Sequence, residues 1–341
     1  MTSLFTLANI CAAAVLVSLT AYVVLAGADF GGGVWDFLAS GERKREQREL
    51  IAHAIGPVWE ANHVWLVLVV VLLFTCFPPA FALLSTELNV PLGLMLIGIV
   101  LRGCAFAFRA YDVKPSATEH AAGRIFAGAS VITPLILGIC VGAIASGSIG
   151  KVSANAGTYA RFFAPWIAPF PIACGIFALT LFTFLAAVYL TVDAGATPVR
   201  EDFRTRALLA AVAVFVAAFG ALGLAYYFAP DLHKSLMTSM WTLPQQLATG
   251  AAAVVAIAAL WLRHYIIARV AAATQATLIL WGWAMAQYPA IIPGRYTIDQ
   301  ASAPRATLVF SVWALVAGSA VLFPSLWYLF RLFKTRNSSP G

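Results

Sequence analysis

His53-Ala-Ile-Gly-Pro57-Val-Trp59-Glu60-Ala-Asn62-His63-Val-Trp65 leads directly into Leu66-Val-Leu-Val-Val-Val-Leu-Leu-Phe74-Thr-Cys76. The apolar half, with its lead-in, supplies the roughly 20 residues that a helix needs to cross a bilayer. The polar half puts an acid and two imidazoles on the same segment. Ionisable groups inside a span are costly and usually functional, so this stretch marks both the fold class and the place to look for chemistry.

The rest of the chain agrees. Of 341 residues, 62% are hydrophobic and 10% charged, and the mean hydropathy is +0.88. Soluble domains carry roughly 25% charge, so an ordinary water-facing surface cannot be built. The reading is an all-α integral membrane protein, because backbone facing lipid must satisfy its own hydrogen bonds. Nine transmembrane helices are expected, over 4–28, 51–77, 80–108, 123–147, 164–192, 206–229, 244–268, 271–292 and 306–331. No connection is long enough to fold as a catalytic domain.

A net charge of +7 would suggest nucleic acid in a soluble chain. Here it reads as positive-inside loops, with no nucleic acid partner. Fifteen Lys and Arg fall on one side of the spans and five on the other, with Arg102 inside a span. That count predicts an N-terminus outside and a cytoplasmic C-terminus. The first apolar run leads to Asp29 rather than to a cleavage site and is expected to stay as a helix. Cys11, Cys76, Cys104, Cys140 and Cys174 form no CxxC or CxxH pair. They read as small buried hydrophobes rather than as a zinc site or a disulfide framework.

Entering from the cytoplasm near Ile51, the second span carries Glu60 ~13 Å into the membrane at 1.5 Å per residue. At helical spacing His53, Glu60 and His63 share one face, and Pro57 frees the carbonyl of His53. Such a stripe suits a proton route. It also suits a polar clasp between helices. Arg102 lies at similar depth in the third span and needs a carboxylate, with Glu60 and Asp29 as candidates. Asp29 closes the first span at Gly27-Ala-Asp29-Phe-Gly31-Gly32-Gly33, where glycines permit close approach or a helix break. A similar Asp-x-Gly at Asp193, 164 residues later, hints at a repeat of four helices. Of five histidines, only His63 sits well inside a span, so no bis-His haem site is expected in this chain.

With these residues in view, the chain resembles subunit II of the cytochrome bd-type quinol oxidases. The match is carried by Gly27-Ala-Asp29-Phe-Gly31-Gly-Gly33, by Ala54-Ile-Gly-Pro57-Val-Trp59-Glu60-Ala-Asn62-His63-Val-Trp65, by Phe77-Pro78 and by Leu101-Arg102-Gly-Cys-Ala-Phe106-Ala-Phe108-Arg109. The resemblance implies two pseudo-symmetric four-helix bundles (1–147 and 164–292) and a peripheral ninth helix with its tail (306–341). It implies a heterodimer with subunit I, which carries two b-type haems, haem d and the quinol site, while this chain ligates no haem and is not itself catalytic. It implies a bacterial cytoplasmic membrane location and reduction of O2 by the complex. It places a proton route at Glu60, with His63 and Asp29 as neighbours and Arg102, Trp59, Asn62 and Asp193 in support. A familiar version of the family motif reads Trp-Asp-Gly-Asn-Gln-Val-Trp, so the acid here is one methylene longer and His63 replaces an amide. Accessory helices and the quinone's identity are left open. The Ala/Gly-rich second half has room for a buried quinone or lipid, though no motif marks one. The alternative, from another class, is a secondary transporter with a site among Glu60, Arg102 and Asp193.

Overall fold

Thr6 opens the first helix by accepting a hydrogen bond from the Asn9 amide at 3.2 Å, and α1 then runs unbroken over Leu7–Phe37. The computed structural model describes residues 6–56, 59–111, 117–151 and 156–336, without the side chains of 59–61, 109–111, 117–121 and several near the C-terminus. Asp29 therefore does not close the first span. It lies inside a helix that carries on through the glycines for two further turns. The glycines serve contact instead of a break, because the membrane interior penalises any interruption of backbone hydrogen bonding.

The expected span over 51–77 is two helices, α2 (Lys44–Ile55) and α3 (Trp59–Cys76). Residues 57 and 58 lie outside the described residues. α2 is too charged to be part of a span, and only its Ile51 and Ile55 side reaches the core. At the far end of α3 the chain meets Pro78 and Pro79. Neither can donate to the preceding turn, so α4 (Pro78–Glu87) departs from Asn62–Cys76 at 119°. The expected span from 80 to 108 is accordingly carried by α5 (Asn89–Tyr111), with α4 lying across its start.

The remaining elements are α6 (Ala117–Ala145), the short α7 (Thr158–Phe162), α8 (Pro169–Asp193), α9 (Val199–Phe228), the short α10 (Pro230–Thr238), α11 (Thr242–Trp261) and α12 (Tyr265–Gln287). An antiparallel hairpin of β1 (Ala290–Ile292) and β2 (Tyr296–Thr297) follows, then α13 (Ile298–Ala301) and α14 (Arg305–Arg336). Among the described residues, eight helices are long and apolar enough to cross a membrane, or nine if the bent α3–α4 pair counts as one span. The protein is an all-α integral membrane protein apart from that five-residue hairpin.

α8 is the hub, packed against α1, α6, α9 and α12. Its closest neighbour is α1. A Cβ placed on Gly31 would collide with the Phe182 backbone carbonyl and, at 2.8 Å, with the Ala186 side chain. The largest apolar cluster joins Phe30, Ile55 and Phe126 to Phe182, Phe203 and Leu260. The segments 1–147 and 164–292 thus share one core.

Charged residues gather at one end. Arg43 Nε donates to Asp202 Oδ2 at 2.9 Å, as does Gln47 Nε2, and Arg206 donates to Gln47 Oε1 at 2.8 Å. Asp202 holds Arg43 above its usual range through this hydrogen bond and its charge. Glu201 receives Arg204, Arg263 and the Tyr265 hydroxyl at 2.8, 3.2 and 3.0 Å. The basic stretches at 41–50, 200–206 and 263–269 therefore lie on the same face of the bundle.

Candidate functional site

Arg102 projects from α5 into a space bounded by α1 and α6. Its side chain and that of Asp29 are each 2% exposed. Nη1 donates to Asp29 Oδ2 at 2.9 Å and Nη2 to Asp29 Oδ1 at 2.7 Å, a two-pronged contact that only a guanidinium can make. Nη2 also reaches the Asp29 backbone carbonyl at 2.9 Å, and Nε donates to Ser130 Oγ at 3.0 Å. Ser130 passes its own proton to the Phe126 carbonyl at 2.7 Å. The guanidinium lies between two aromatic rings, 4.7 Å from the Phe30 centroid and 4.9 Å from that of Phe126. Cation–π contact adds to the ion pair in this desolvated setting.

Glycine makes the arrangement fit. A Cβ on Gly33 would overlap the Ser130 hydroxyl, so the bare backbone of α1 lets Ser130 stand beside the pair. The sequence alone had not singled out Ser130, Phe126 or Phe30. The available signal was a lone hydroxyl one turn after an aromatic in Phe126-Ala-Gly-Ala-Ser130, facing a helix of glycines.

His63 joins from α3. Its ring stacks over Phe30 at 6.2 Å and meets Tyr22 edge-on at 6.3 Å. Phe30 is thus shared by the imidazole and the guanidinium. Asn62, one position earlier, is 3% exposed. Its Nδ2 and the Tyr22 hydroxyl are buried without hydrogen-bond partners among the described residues. The side chains of Glu60 and Trp59 lie outside the described residues. Their backbone forms the first turn of α3, four and three residues before His63 respectively for Trp59 and Glu60.

Two expected neighbours stand apart. His53 belongs to α2 and is exposed. Because α2 and α3 are separate helices, the single stripe of His53, Glu60 and His63 does not exist as a continuous helical face. His53 lies instead within electrostatic reach of Asp193. Asp193 ends α8 and is paired with Arg269 of α12 at 3.4 Å, with Arg269 resting on the Tyr189 ring at 4.7 Å. Asp29 and Asp193, matched by the 164-residue offset, thus have different settings, one inside a helix and buried, the other at a half-exposed helix end. Arg102 is paired with Asp29, and Asp193 with Arg269, so the three-residue site required by the transporter alternative is not assembled around Arg102 and Asp193.

Elsewhere, a cavity of ≈ 820 Å³ opens between α6, α8, α9, α11 and α12, lined by Phe177, Phe215, Gln245, Gln275 and Trp283 among others. Among the described residues, no group of three or more His, Cys, Asp and Glu side chains could hold a metal ion.

Comparison with known proteins places this geometry in a family. The family model described as cytochrome bd terminal oxidase subunit II matches residues 7–333. The cytochrome bd ubiquinol oxidase subunit 2 of Bacillus subtilis (strain 168) is 34% identical over 126 residues, 37% of this chain and 36% of that protein. The cytochrome bd-I ubiquinol oxidase subunit 2 of Escherichia coli (strain K12) is 27% identical over 180 residues, 51% of this chain and 45% of that protein. Each alignment spans less than half of the relative's length. In fold, the chain is similar to a chain of the bd oxidase from Geobacillus thermodenitrificans, with a TM-score of 0.79 and 23% identity over 96% of this chain and 99% of that one. The chain belongs to the cytochrome bd terminal oxidase subunit II family.

Proposed function

We propose that this chain is the haem-free subunit of a membrane quinol:O2 oxidoreductase. It scaffolds a haem-bearing subunit I as a heterodimer and conducts cytoplasmic protons toward the oxygen-reducing haem. The observation that carries this reading is the buried Asp29–Arg102–Ser130 group with His63 beside it on α3. A full ion pair at 2% exposure is a poor way to gain stability alone, since desolvation offsets much of its attraction. It is a good way to hold a fixed charge next to a proton carrier.

In this reading Glu60 takes up the proton, His63 and Asp29 flank it, and Arg102 fixes Asp29 by two prongs so that its charge stays put. Trp59 and Asn62 frame the start of α3, and Asp193 with Arg269 lies nearer the charged end of the bundle. Oxygen chemistry belongs to subunit I, with two haems b and haem d. Phe30 and Tyr22 already occupy two sides of the His63 ring, which suits packing better than ligation. The charged end faces the cytoplasm of a bacterial cell, placing the N-terminus outside. Residues 1–147 and 164–292 are the two bundles, and 306–341 the peripheral helix and tail. The apolar cavity is of a size for a quinone or a lipid.

The test is an optical spectrum of the complex purified through a tag on this chain. Copurifying haem b and haem d bands with quinol-dependent O2 uptake are expected. A haem-free preparation with solute flux would overturn the proposal.

A further inference from the structure

Cys11 and Cys76 are both fully buried in one apolar cluster, with Ala8, Leu72, Phe77 and Ala80 around them. They come from antiparallel helices in a fixed register. His63 of α3 meets Tyr22 and Phe30 of α1. Moving about 20 Å along α3 to Cys76 carries the facing position on α1 back by a similar number of residues, to the turn that holds Cys11. There the two thiols form a side-chain hydrogen bond. Cys76 is also the last residue of α3 before the 119° bend, and its carbonyl accepts from the Ala303 amide at 2.8 Å. The pair therefore sits where α1, the bend and the segment leading to α14 meet.

We propose that Cys11 and Cys76 are a disulfide site that staples α1 to the end of α3. A disulfide needs Cα atoms roughly 4.4–6.8 Å apart and sulfurs in direct contact, and two hydrogen-bonded thiols on facing helices are within side-chain reach of that geometry. The reaction is thiol–disulfide exchange. A Cys11 or Cys76 thiolate attacks a sulfur of an extracytoplasmic disulfide oxidant, and the second thiolate displaces that oxidant as a dithiol. Two protons and two electrons pass from the pair to the oxidant, and one S–S bond replaces another. This part rests on the orientation given above, which puts both helix ends on the oxidising side of the membrane. Exchange precedes the packing of α4 and Ala303 over the pair.

Counting thiols decides it. The complex is isolated under thiol-trapping conditions, denatured in detergent and treated with a maleimide polymer, with and without prior reduction. The five cysteines should give three adducts unreduced and five after reduction. Cys11→Ser and Cys76→Ser should each give four in both conditions, and Cys140→Ser two and four. Five adducts from unreduced wild type, with Cys11→Ser giving four, would overturn the staple. A compartment reporter fused to the C-terminal tail is read in parallel. A cytoplasmic reporter with five free thiols removes the disulfide and leaves the orientation standing. An external reporter removes the orientation, and the adduct count then judges the pair by itself.

Discussion

Arg102 and Asp29 face each other across α5 and α1 through two parallel hydrogen bonds of 2.9 and 2.7 Å, with both side chains 98% out of reach of solvent. Between transmembrane helices, apolar burial supplies little net drive because lipid is equally apolar. A polar contact of this quality thus weighs heavily in holding α1, α5 and α6 together.

Replacing Arg102 with Leu leaves the Asp29 carboxylate buried and unpaired, and breaking such a pair costs ~3–5 kcal/mol. The variant should give a low yield of assembled complex while each assembled complex turns over with less loss. Haem-to-protein ratio and turnover per haem measure the two separately. Normal yield and thermal stability would remove the pairing from any structural role.

Ser130→Ala deletes the acceptor for Arg102 Nε without touching Asp29. A hydrogen bond to a charged group is worth ~1.5–3 kcal/mol, so a fall in thermal midpoint is expected, smaller than that of Arg102→Leu. Combining the two should add little beyond Arg102→Leu, because the partner is already gone.

Gly31→Ala drives a methyl group into the Phe182 carbonyl and Ala186. Overpacking of this kind costs ~1–3 kcal/mol. Gly93 of α5 has nothing within 4 Å of the same added atom, and Gly93→Ala should leave the thermal midpoint unchanged or raise it slightly. Equal destabilisation at both positions would contradict the α1–α8 crossing.

Glu60→Gln keeps size and hydrogen bonding but removes the exchangeable proton. Haem bands should be unaltered and O2 reduction at least tenfold slower, about 1.4 kcal/mol on the limiting barrier. Glu60→Asp should keep substantial activity. Wild-type turnover in an assembled Glu60→Gln complex would reduce the residue to a helix clasp.

Most of the architecture was legible in the sequence because apolar runs and proline pairs speak directly to helix length and breaks. Phe77-Pro78-Pro79 announced the end of α3, and the need of Arg102 for an acid followed from its depth. The choice between Asp29 and Glu60 was not legible, since it depends on where α1 continues past its glycines. Read as a terminator, Gly31-Gly32-Gly33 put Asp29 at a helix end. In the folded chain those glycines are a contact surface, and Asp29 is interior. The stripe through His53 failed for a related reason: periodicity assumes one helix, and here there are two. Ser130 was silent because a single hydroxyl in an apolar helix carries no signal until its neighbour is known.

The close seat of Phe182 on Gly31 also sets an order of events during synthesis. Asp29, Arg102 and Ser130 have all been made once α6 is complete, so their contact can close early. The glycine face of α1 has to wait for α8, made some 150 residues after it. Until then α1 holds its charges paired on one side and a bare groove open on the other. A nascent chain stalled before Phe182 exposes that groove to lipid or to any membrane chaperone that reads it.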